Sequence, residues 1–566
     1  MERFMLSVGL VAFRVIIVLV VALIIYKCFS SMRRRKRQES PLVMLYNETA
    51  RRKIPVLFWE NSIGRSKSND IVIEDPTVSR SHCVLLRRKE GWFVSDVGSM
   101  SGTKINGRRI STRRKIEIDD AFTIGSTTLC LKRGSEFDEG INRHWFFSKS
   151  SEKRGASAPL LILLLNFFYI FMTLGIFISR QEIRIEALQV LGALVAFSWT
   201  MYGFSRGVFL RSNFELETLA LLLFGAGTLL LVEQDIKDAW IQIIAAFIGV
   251  VGYFLILAFI ENPDRIVKWR MAVMMIALGF LAINLIFGKV EYGAANRIYI
   301  SGVSIQPSEI VKVAYIFVGA SALDHLQTKR NIIEFIVFSA LCVGALGIMG
   351  DFGTALIFFV TFIVISITRS GDVKTAIFAL VGAVFAVMLI LSFKPYIAER
   401  FAVWGNVMDD PYGAGYQQSR VLTYIASGGL FGMGVGSGIL REYTASETDL
   451  VFGIVSEEMG FITALLFALV IFGLVIYSRA ITTRSRSTFY SISACCASTM
   501  MLVQAGLNIF GCTDILPLTG VTLPFVSAGG SSIISCFGLL AFIKAADTRQ
   551  NASFAVRQSK EGEGGK

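Results

Sequence analysis

Three short stretches of this chain set acidic, basic and amide side chains at spacings suited to chemistry. The first is Ser304-Ile305-Gln306-Pro307-Ser308-Glu309-Ile310-Val311-Lys312. Glu309 and Lys312 stand three apart, so they share one face of a helix whose first turn holds Pro307. The second is Asp409-Asp410-Pro411-Tyr412-Gly413-Ala414-Gly415-Tyr416-Gln417, followed by Ser427-Gly428-Gly429-Leu430-Phe431-Gly432 and by Glu447-Thr448-Asp449. The third runs from Leu516 to Ser532, rich in small residues and interrupted by Pro517 and Pro524. Charges at membrane depth need partners or an aqueous cavity, and helices broken in this way line cavities. The three histidines, His82, His144 and His325, are scattered, so acidic residues must carry any proton transfer. The eight cysteines show no CxxC spacing, which argues against a zinc site or a disulfide framework.

The elements that must position these groups are membrane spans. The chain is 53% hydrophobic with 45 Phe and only 17% charged, which excludes an ordinary soluble domain. The apolar run Met5 to Ile25, broken only by Arg14, precedes Arg33-Arg34-Arg35-Lys36-Arg37. Charge after the apolar run predicts a retained anchor with its N-terminus outside. Twelve further runs follow, near 159–179, 185–204, 216–232, 239–260, 270–288, 306–325, 331–349, 352–368, 374–393, 450–478, 488–511 and 522–544, giving about thirteen spans. Short connections on the predicted inside carry twelve Lys and Arg against five outside, the bias of the positive-inside rule. The C-terminus is then inside, and residues 394–449 form the one long outside loop, carrying Asp410, Gln417 and Glu447.

Residues 27–154 hold 27 Lys+Arg against 15 Asp+Glu, nearly all of the net charge of +13. A basic stretch beside a span is better explained by anionic lipid and topology than by nucleic acid, and no nucleic-acid partner is expected. Within it, residues 54–133 alternate apolar and polar in short runs, the pattern of a small antiparallel sandwich. Gly64-Arg65, Ser79-Arg80-Ser81-His82 and Gly102-Thr103-Lys104-Ile105-Asn106-Gly107 occur there in order. At these residues the segment resembles a forkhead-associated (FHA) domain. The resemblance implies phosphothreonine binding through Arg65 and Ser79, with Arg80 and Ser101 beside them and His82 and Asn106 bracing the loops. Arg65 offers a guanidinium fork and Ser79 a hydroxyl donor, both suited to a phosphate dianion. Ser101 stands where that family has an asparagine that contacts the peptide backbone, so sequence preference is expected to differ. The alternative is an FHA fold that serves only as a docking block.

Residues 216 to 546 closely resemble the SEDS family of shape, elongation, division and sporulation proteins (FtsW, RodA, SpoVE). The resemblance rests on QPSE at 306–309, the DPxGxGYQ loop at 410–417, Glu457-Glu458-Met459-Gly460, and the run Pro517-Leu518-Thr519-Gly520-Val521-Thr522-Leu523-Pro524-Phe525-Val526-Ser527-Ala528-Gly529-Gly530-Ser531-Ser532. Two details depart from the family: Met349-Gly350 precedes Asp351-Phe352-Gly353-Thr354, and Arg297-Ile298-Tyr299 stands where a tryptophan is expected.

The expected fold is a polytopic α-helical membrane protein with a ten-span SEDS body and an inserted all-β FHA sandwich. Its parts are an anchor at 1–30, a basic juxtamembrane linker at 31–53, the FHA domain at 54–134, a linker at 135–158, two extra spans at 159–204, the body at 205–546 and a tail at 547–566. The implied location is the bacterial cytoplasmic membrane, with the FHA domain and C-terminus cytoplasmic.

The resemblance implies a glycosyltransferase that joins lipid II disaccharides outside the membrane, working with a class B penicillin-binding protein. A hydroxyl must attack an anomeric carbon and expel undecaprenyl pyrophosphate, which calls for a general base and for a cationic group or metal at the leaving group. Asp410 matches the family's essential aspartate and is the candidate base. Glu309, Lys312, Gln306, Arg297, Asp351, Gln417, Glu447 and Ser527 are the candidate cavity residues. Lys312 is a candidate for pyrophosphate contact, with a structural Glu309–Lys312 ion pair as the alternative. No metal site is legible, and a divalent cation such as Mg is the one cofactor left open. Two other readings remain: a lipid II flippase using the same cavity without chemistry, and an idle scaffold recruiting a phosphothreonine protein of a Ser/Thr kinase pathway.

Overall fold

The computed structural model describes residues 2–34, 43–56, 59–66, 69–88, 90–133, 156–209, 213–291, 294–300, 303–322, 329–370, 377, 404–413, 415–482 and 487–547. The expected span at 374–393, the first part of the 394–449 loop, most of the linker at 135–158 and the tail beyond 547 lie outside the described residues.

Among the described residues, seven helices are long and apolar enough to cross a membrane by length and composition. They are α1 (Glu2–Arg34), α2 (Ala158–Arg180), α3 (Ile185–Gly207), α5 (Ile236–Ile260), α6 (Pro263–Phe287), α12 (Phe461–Thr482) and α13 (Thr488–Cys512). Among the described residues five further helices belong to the bundle: α4 (Glu215–Leu231), α7 (Pro307–Ala322), α8 (Lys329–Met349), α9 (Phe352–Ser370) and α14 (Gly530–Ala546). Every residue of α4 is buried, with α1, α2, α3 and α5 packed round it. Gly227 on α4 lets the backbone at Val526 approach, where any side chain would collide. The anchor α1 packs on α2, α4 and α12, with Phe29 in the space a side chain at Gly473 would need. It is part of the bundle rather than a tether.

Two expected spans are not continuous helices. The run 450–478 divides into α11 (Val451–Met459) and α12, broken at Gly460, whose φ of +91° ends the first helix. The last helix starts at Gly530, and residues 522–529 carry no helix or strand, because Pro524 and the positive φ of Phe525 and Gly529 stop earlier helix formation. Residues 289–305, expected as a plain connection, form a three-stranded sheet of β12 (Lys289–Glu291), β13 (Ala294–Ile300) and β14 (Val303–Ile305). The long loop contains a further helix, α10 (Tyr416–Gly428).

The inserted domain is a sandwich of two sheets. One has the order β2 (Arg52–Val56), β1 (Val43–Asn47), β11 (Thr127–Arg133), β10 (Ala121–Ile124), β7 (Thr103–Ile105), β8 (Arg108–Arg109). The other runs β4 (Ile71–Val72), β3 (Glu60–Gly64), β5 (Cys83–Arg88), β6 (Gly91–Asp96), β9 (Arg114–Ile116). Leu45, Ile63, Leu85, Val94, Phe122 and Leu131 fill its core. The sandwich begins at Val43, inside the stretch expected to be linker, since β1 is a five-residue strand hidden between basic flanks and pairs with β2 and β11.

The sandwich is docked on one end of the bundle. Trp59, at the start of β3, is buried in the helical core with its ring 6.2 Å from that of Tyr490 on α13. The Tyr490 hydroxyl donates to the Ile260 carbonyl at the end of α5, 2.6 Å. Ser487 donates to Glu60 Oε2 at 3.0 Å, and Arg88 holds Glu60 Oε1 at 3.2 Å. Both charged side chains are almost fully buried, so either alone would leave an uncompensated ion. From this dock α13 runs roughly 37 Å at 1.5 Å per residue to the opposite end of the bundle. Truncation of a buried Trp removes its packing and leaves a void, so Trp59→Ala should destabilise the docked state by about 3 kcal/mol. Thermal unfolding of the full chain in detergent measures this; an unchanged first transition would mean the dock contributes nothing to stability.

Candidate functional site

The polar residues in the middle of the bundle satisfy one another across three helices. Pro307 opens α7 and sets Glu309 and Lys312 one turn apart facing inward. Lys312 Nζ bonds Glu309 Oε1 at 2.7 Å and Gln504 Oε1 on α13 at 2.9 Å, while Ser535 on α14 donates to Glu309 Oε2 at 2.8 Å. Gln504 in turn donates to the Thr522 carbonyl and hydroxyl, and Thr522 bonds Ser532 at 2.8 Å. Asn508, one turn further along α13, donates to the carbonyls of Asp449 and Val521. These amides hold the irregular 516–529 stretch in place. The Lys312 side chain is wholly buried in this arrangement and its ammonium is engaged by Glu309 and Gln504.

Two further groups of expected residues come together. Asp351 caps α9 by accepting from the Thr354 N–H at 3.1 Å, and its other oxygen accepts from Gln306 at 3.0 Å and Asn296 at 3.1 Å. Arg297 follows Asn296 on β13, half-buried. Ser527 donates to the Thr448 carbonyl at 2.6 Å, Ala528 N–H bonds the Glu447 carbonyl, and Glu447 Oε2 accepts from Gln234 at 2.7 Å. Gln234, Arg441, Glu447 and Glu458 line a cavity of about 10 Å³. That is space for one water, too little for a sugar.

Asp410 lies apart from these groups, exposed at the loop end of the bundle. Its Oδ1 accepts from the Gly413 N–H at 3.0 Å and its carbonyl from the Gly415 N–H at 3.2 Å. A side chain at Gly413 would meet the Asp410 carboxylate, and one at Gly415 the carbonyls of Val407 and Asp410. The two glycines are therefore what lets the chain curl round the carboxylate. Trp404 bonds the Ile515 carbonyl, and Gln418 on α10 bonds that of Gly511, fixing this turn to the far end of α13. Gln417 makes only a long 3.5 Å contact to the Thr444 carbonyl.

The rest of the loop is clamped by carboxylates. Glu457 accepts from the N–H groups of Ile439 and Leu440, and Glu458 from that of Gly436 and from Arg441. Glu233 binds Arg180 at 2.7 Å and Arg184 at 3.3 Å and lies 3.9 Å from Arg441. Arg14 of α1 donates to the Gly432 carbonyl at 2.8 Å. Gln504, Asn508, Gln234, Arg441 and Arg14 were not anticipated as site residues. The i, i+4 pair of amides within an otherwise apolar run on α13 was the legible signal for the first two.

In the sandwich, the expected phosphate loops do converge. The Arg65 N–H bonds the Ser79 carbonyl, the Ser66 N–H that of Arg80, and Gly64 allows the Arg80 backbone to lie against it. Arg65, Arg80 and Ser101 are exposed, and Ser101 donates to the Thr77 carbonyl at 3.2 Å. Ser79 Oγ accepts from the Met100 N–H at 3.0 Å, so its hydroxyl hydrogen is what remains to donate. Buried His82 accepts the Ser79 N–H on Nδ1 at 3.1 Å, which assigns its proton to Nε2, 3.3 Å from the Gly102 carbonyl.

A family model described as "Cell cycle protein", for FtsW, RodA and SpoVE, matches residues 219–552, and an FHA domain model matches 61–125. Stage V sporulation protein E of Bacillus subtilis is 32% identical over 338 residues, covering 56% of this chain and 90% of the relative. The protein named "Probable peptidoglycan glycosyltransferase FtsW" of Borreliella burgdorferi is 33% identical over 266 residues, 44% of this chain and 71% of the relative. Among solved structures, a chain of a peptidoglycan synthase complex coordinating polymerization and crosslinking is 23% identical with a TM-score of 0.48, covering 58% of this chain and 95% of that one.

Burial lowers the pKa of His82, outweighing the opposing pull of the Gly102 carbonyl. With the folded pKa below the ordinary value of about 6.5, the stability it contributes is complete above that pH and is lost as pH falls through the folded value. Protonation of Nδ1 would also remove the acceptor that orients Ser79. Thermal stability of the sandwich transition is expected to drop between pH 7.5 and 5, and His82→Gln to flatten that slope. An equal slope in both proteins would assign the pH dependence to other groups.

Proposed function

The chain belongs to the FtsW/RodA/SpoVE family, and from that membership we propose that it is a peptidoglycan glycosyltransferase polymerising lipid II at the outer face of the cytoplasmic membrane. The observation that carries the reading is the turn at 409–417, where Gly413 and Gly415 wrap the backbone round an exposed carboxylate, Asp410, on a loop clamped by Glu457 and Glu458.

In the proposed reaction Asp410 takes the proton from the 4-hydroxyl of one disaccharide as that oxygen bonds to the anomeric carbon of another. The bond from that carbon to the pyrophosphate oxygen breaks, and undecaprenyl pyrophosphate leaves with the electron pair. Among the described residues there is no group of three or more His, Cys, Asp or Glu that could hold a metal ion. Glu309, Lys312 and Gln504 are assigned to holding the 516–529 stretch that packs beneath the loop. A class B penicillin-binding protein is the proposed crosslinking partner. The FHA sandwich is proposed to bind a phosphothreonine protein from a Ser/Thr kinase pathway through Arg65 and Ser79, from the cytoplasmic side.

Purified full-length protein given labelled lipid II, with and without its transpeptidase, should yield glycan ladders. Asp410→Asn should lower that activity by about 10² or more. Gly413→Ala should leave thermal stability near wild type, because the clash is with a movable carboxylate, yet lower activity by a factor approaching 10² through misplacement of that group. Ladders of normal intensity from Asp410→Asn would end its role as base. Transport of lipid II without polymer would favour the flippase. Neither activity would favour the scaffold, for which phosphothreonine-peptide binding that Arg65→Ala abolishes is the remaining function.

A further inference from the structure

Helix α10 sets Tyr416, Arg420 and Tyr424 at i, i+4 and i+8, along one face. The Arg420 guanidinium lies 5.4 Å from the Tyr416 ring centroid and 5.7 Å from that of Tyr412, which extends the row toward Asp410 two residues away. Tyr443 closes the other end, 6.0 Å from Tyr416 and 5.7 Å from Tyr424, with its hydroxyl 3.1 Å from that of Tyr424. Tyr412 is 83% exposed and Tyr416 40%.

Tyr424 and Tyr443 are half-buried against the helical core, whereas Tyr412 and Tyr416 stand exposed in front of them, and large exposed rings side by side mark a binding surface. Arg420 adds a second sign. Its Nε is closed off from solvent, and among the described residues it has no hydrogen-bond acceptor. The terminal nitrogens of that guanidinium are not closed off in this way, and they are the donors within reach of a ligand oxygen. A tyrosine ring offers an apolar face with a polar edge, which suits the C–H face of a pyranose and its hydroxyls together. Guanidinium beside it suits the carboxylates and phosphates that the precursor carries. Lipid is the poorer occupant, because the phenols of Tyr412 and Tyr416 and a cation would be dehydrated by acyl chains.

We propose that Tyr412, Tyr416, Tyr443 and Arg420 form a platform that holds the sugar strand next to Asp410, beyond the disaccharides that react. The proposal rests on the polymerase reading for the identity of the strand, and on this row of side chains for the site. Held there, the strand stays bound between successive couplings, so the platform sets product length.

The test pairs two measurements on the purified full chain. In the first, ladder length is compared for wild type, Tyr412→Ala, Tyr416→Ala and Arg420→Gln with labelled lipid II. In the second, binding of chitotetraose, a soluble β-linked amino-sugar oligomer that needs no turnover, is followed by saturation-transfer NMR. Expected is a several-fold shortening of the product distribution, greater than the fall in total lipid II consumed, together with weakened chitotetraose binding in each variant. Tyr412 is so exposed that its truncation should not disturb folding. Product lengths unchanged, or chitotetraose binding absent from wild type or equal in all four proteins, would overturn the platform. Wild-type protein that binds chitotetraose through these residues yet makes no ladder would leave the platform standing and overturn the polymerase reading instead.

Discussion

Burying a carboxylate and an ammonium one helical turn apart costs several kcal/mol per ion unless the remaining lone pairs and protons find partners. For Glu309 and Lys312 those partners arrive from two other helices, Ser535 on α14 and Gln504 on α13. Because Gln504 also grips Thr522, meeting the needs of one ion pair fixes the register of α7, α13 and α14 and the course of the non-helical stretch between the last two. Truncating any one member strands the others at low dielectric, which is why the network must be complete or absent. The loop above inherits this geometry through Asn508, which joins Asp449 to Val521.

The loop meets the same demand differently. With many glycines and few side chains of its own, it has backbone N–H groups that need acceptors. Glu457 and Glu458 supply them at Gly436, Ile439 and Leu440. Such carboxylates act as a mould, giving a flexible sequence a single path. The mould is extended by residues outside the matched body, since Arg180, Arg184 and Arg14 reach it from α1, α2 and the segment that follows α2. The two extra helices and the anchor thus help to shape the surface that carries Asp410.

How much of this was legible depended on whether a property is local. Spans announce themselves by apolar length, and the sandwich by alternation and by its ordered loop motifs. The grouping of Gln306 with Asp351, and of Glu447 with Ser527, joins residues far apart in sequence, which only family resemblance brought to one cavity. Gln504 and Asn508 were readable as amides in an apolar run, but their partners were not. Hydropathy averages over a window, so it ran straight through Gly460 and merged α11 with α12. It also passed over β12–β14, whose weak alternation carries no apolar excess. The dock of Trp59 and Glu60 on α13 left no trace, because one tryptophan and one glutamate in a strand look like ordinary sandwich residues. Asp410 was found by motif, and its exposure and the bond it accepts from the Gly413 N–H agree with a turn as readily as with a base.

The dock also has a history in time. Ser487 and Glu60 are separated by 427 residues, and Arg14 and Gly432 by 418. At a synthesis rate of about 5–20 residues per second, Trp59 and the Glu60–Arg88 pair wait on the order of 20 to 80 seconds for the helix that will cover them. Until then the indole and the Glu60–Arg88 pair lack the cover that α13 gives them. Closure of the dock therefore reports that most of the chain has been made. A ribosome stalled before α13 therefore leaves a product whose Trp59 has no helix to cover it, although it already contains Gly432, the partner of Arg14.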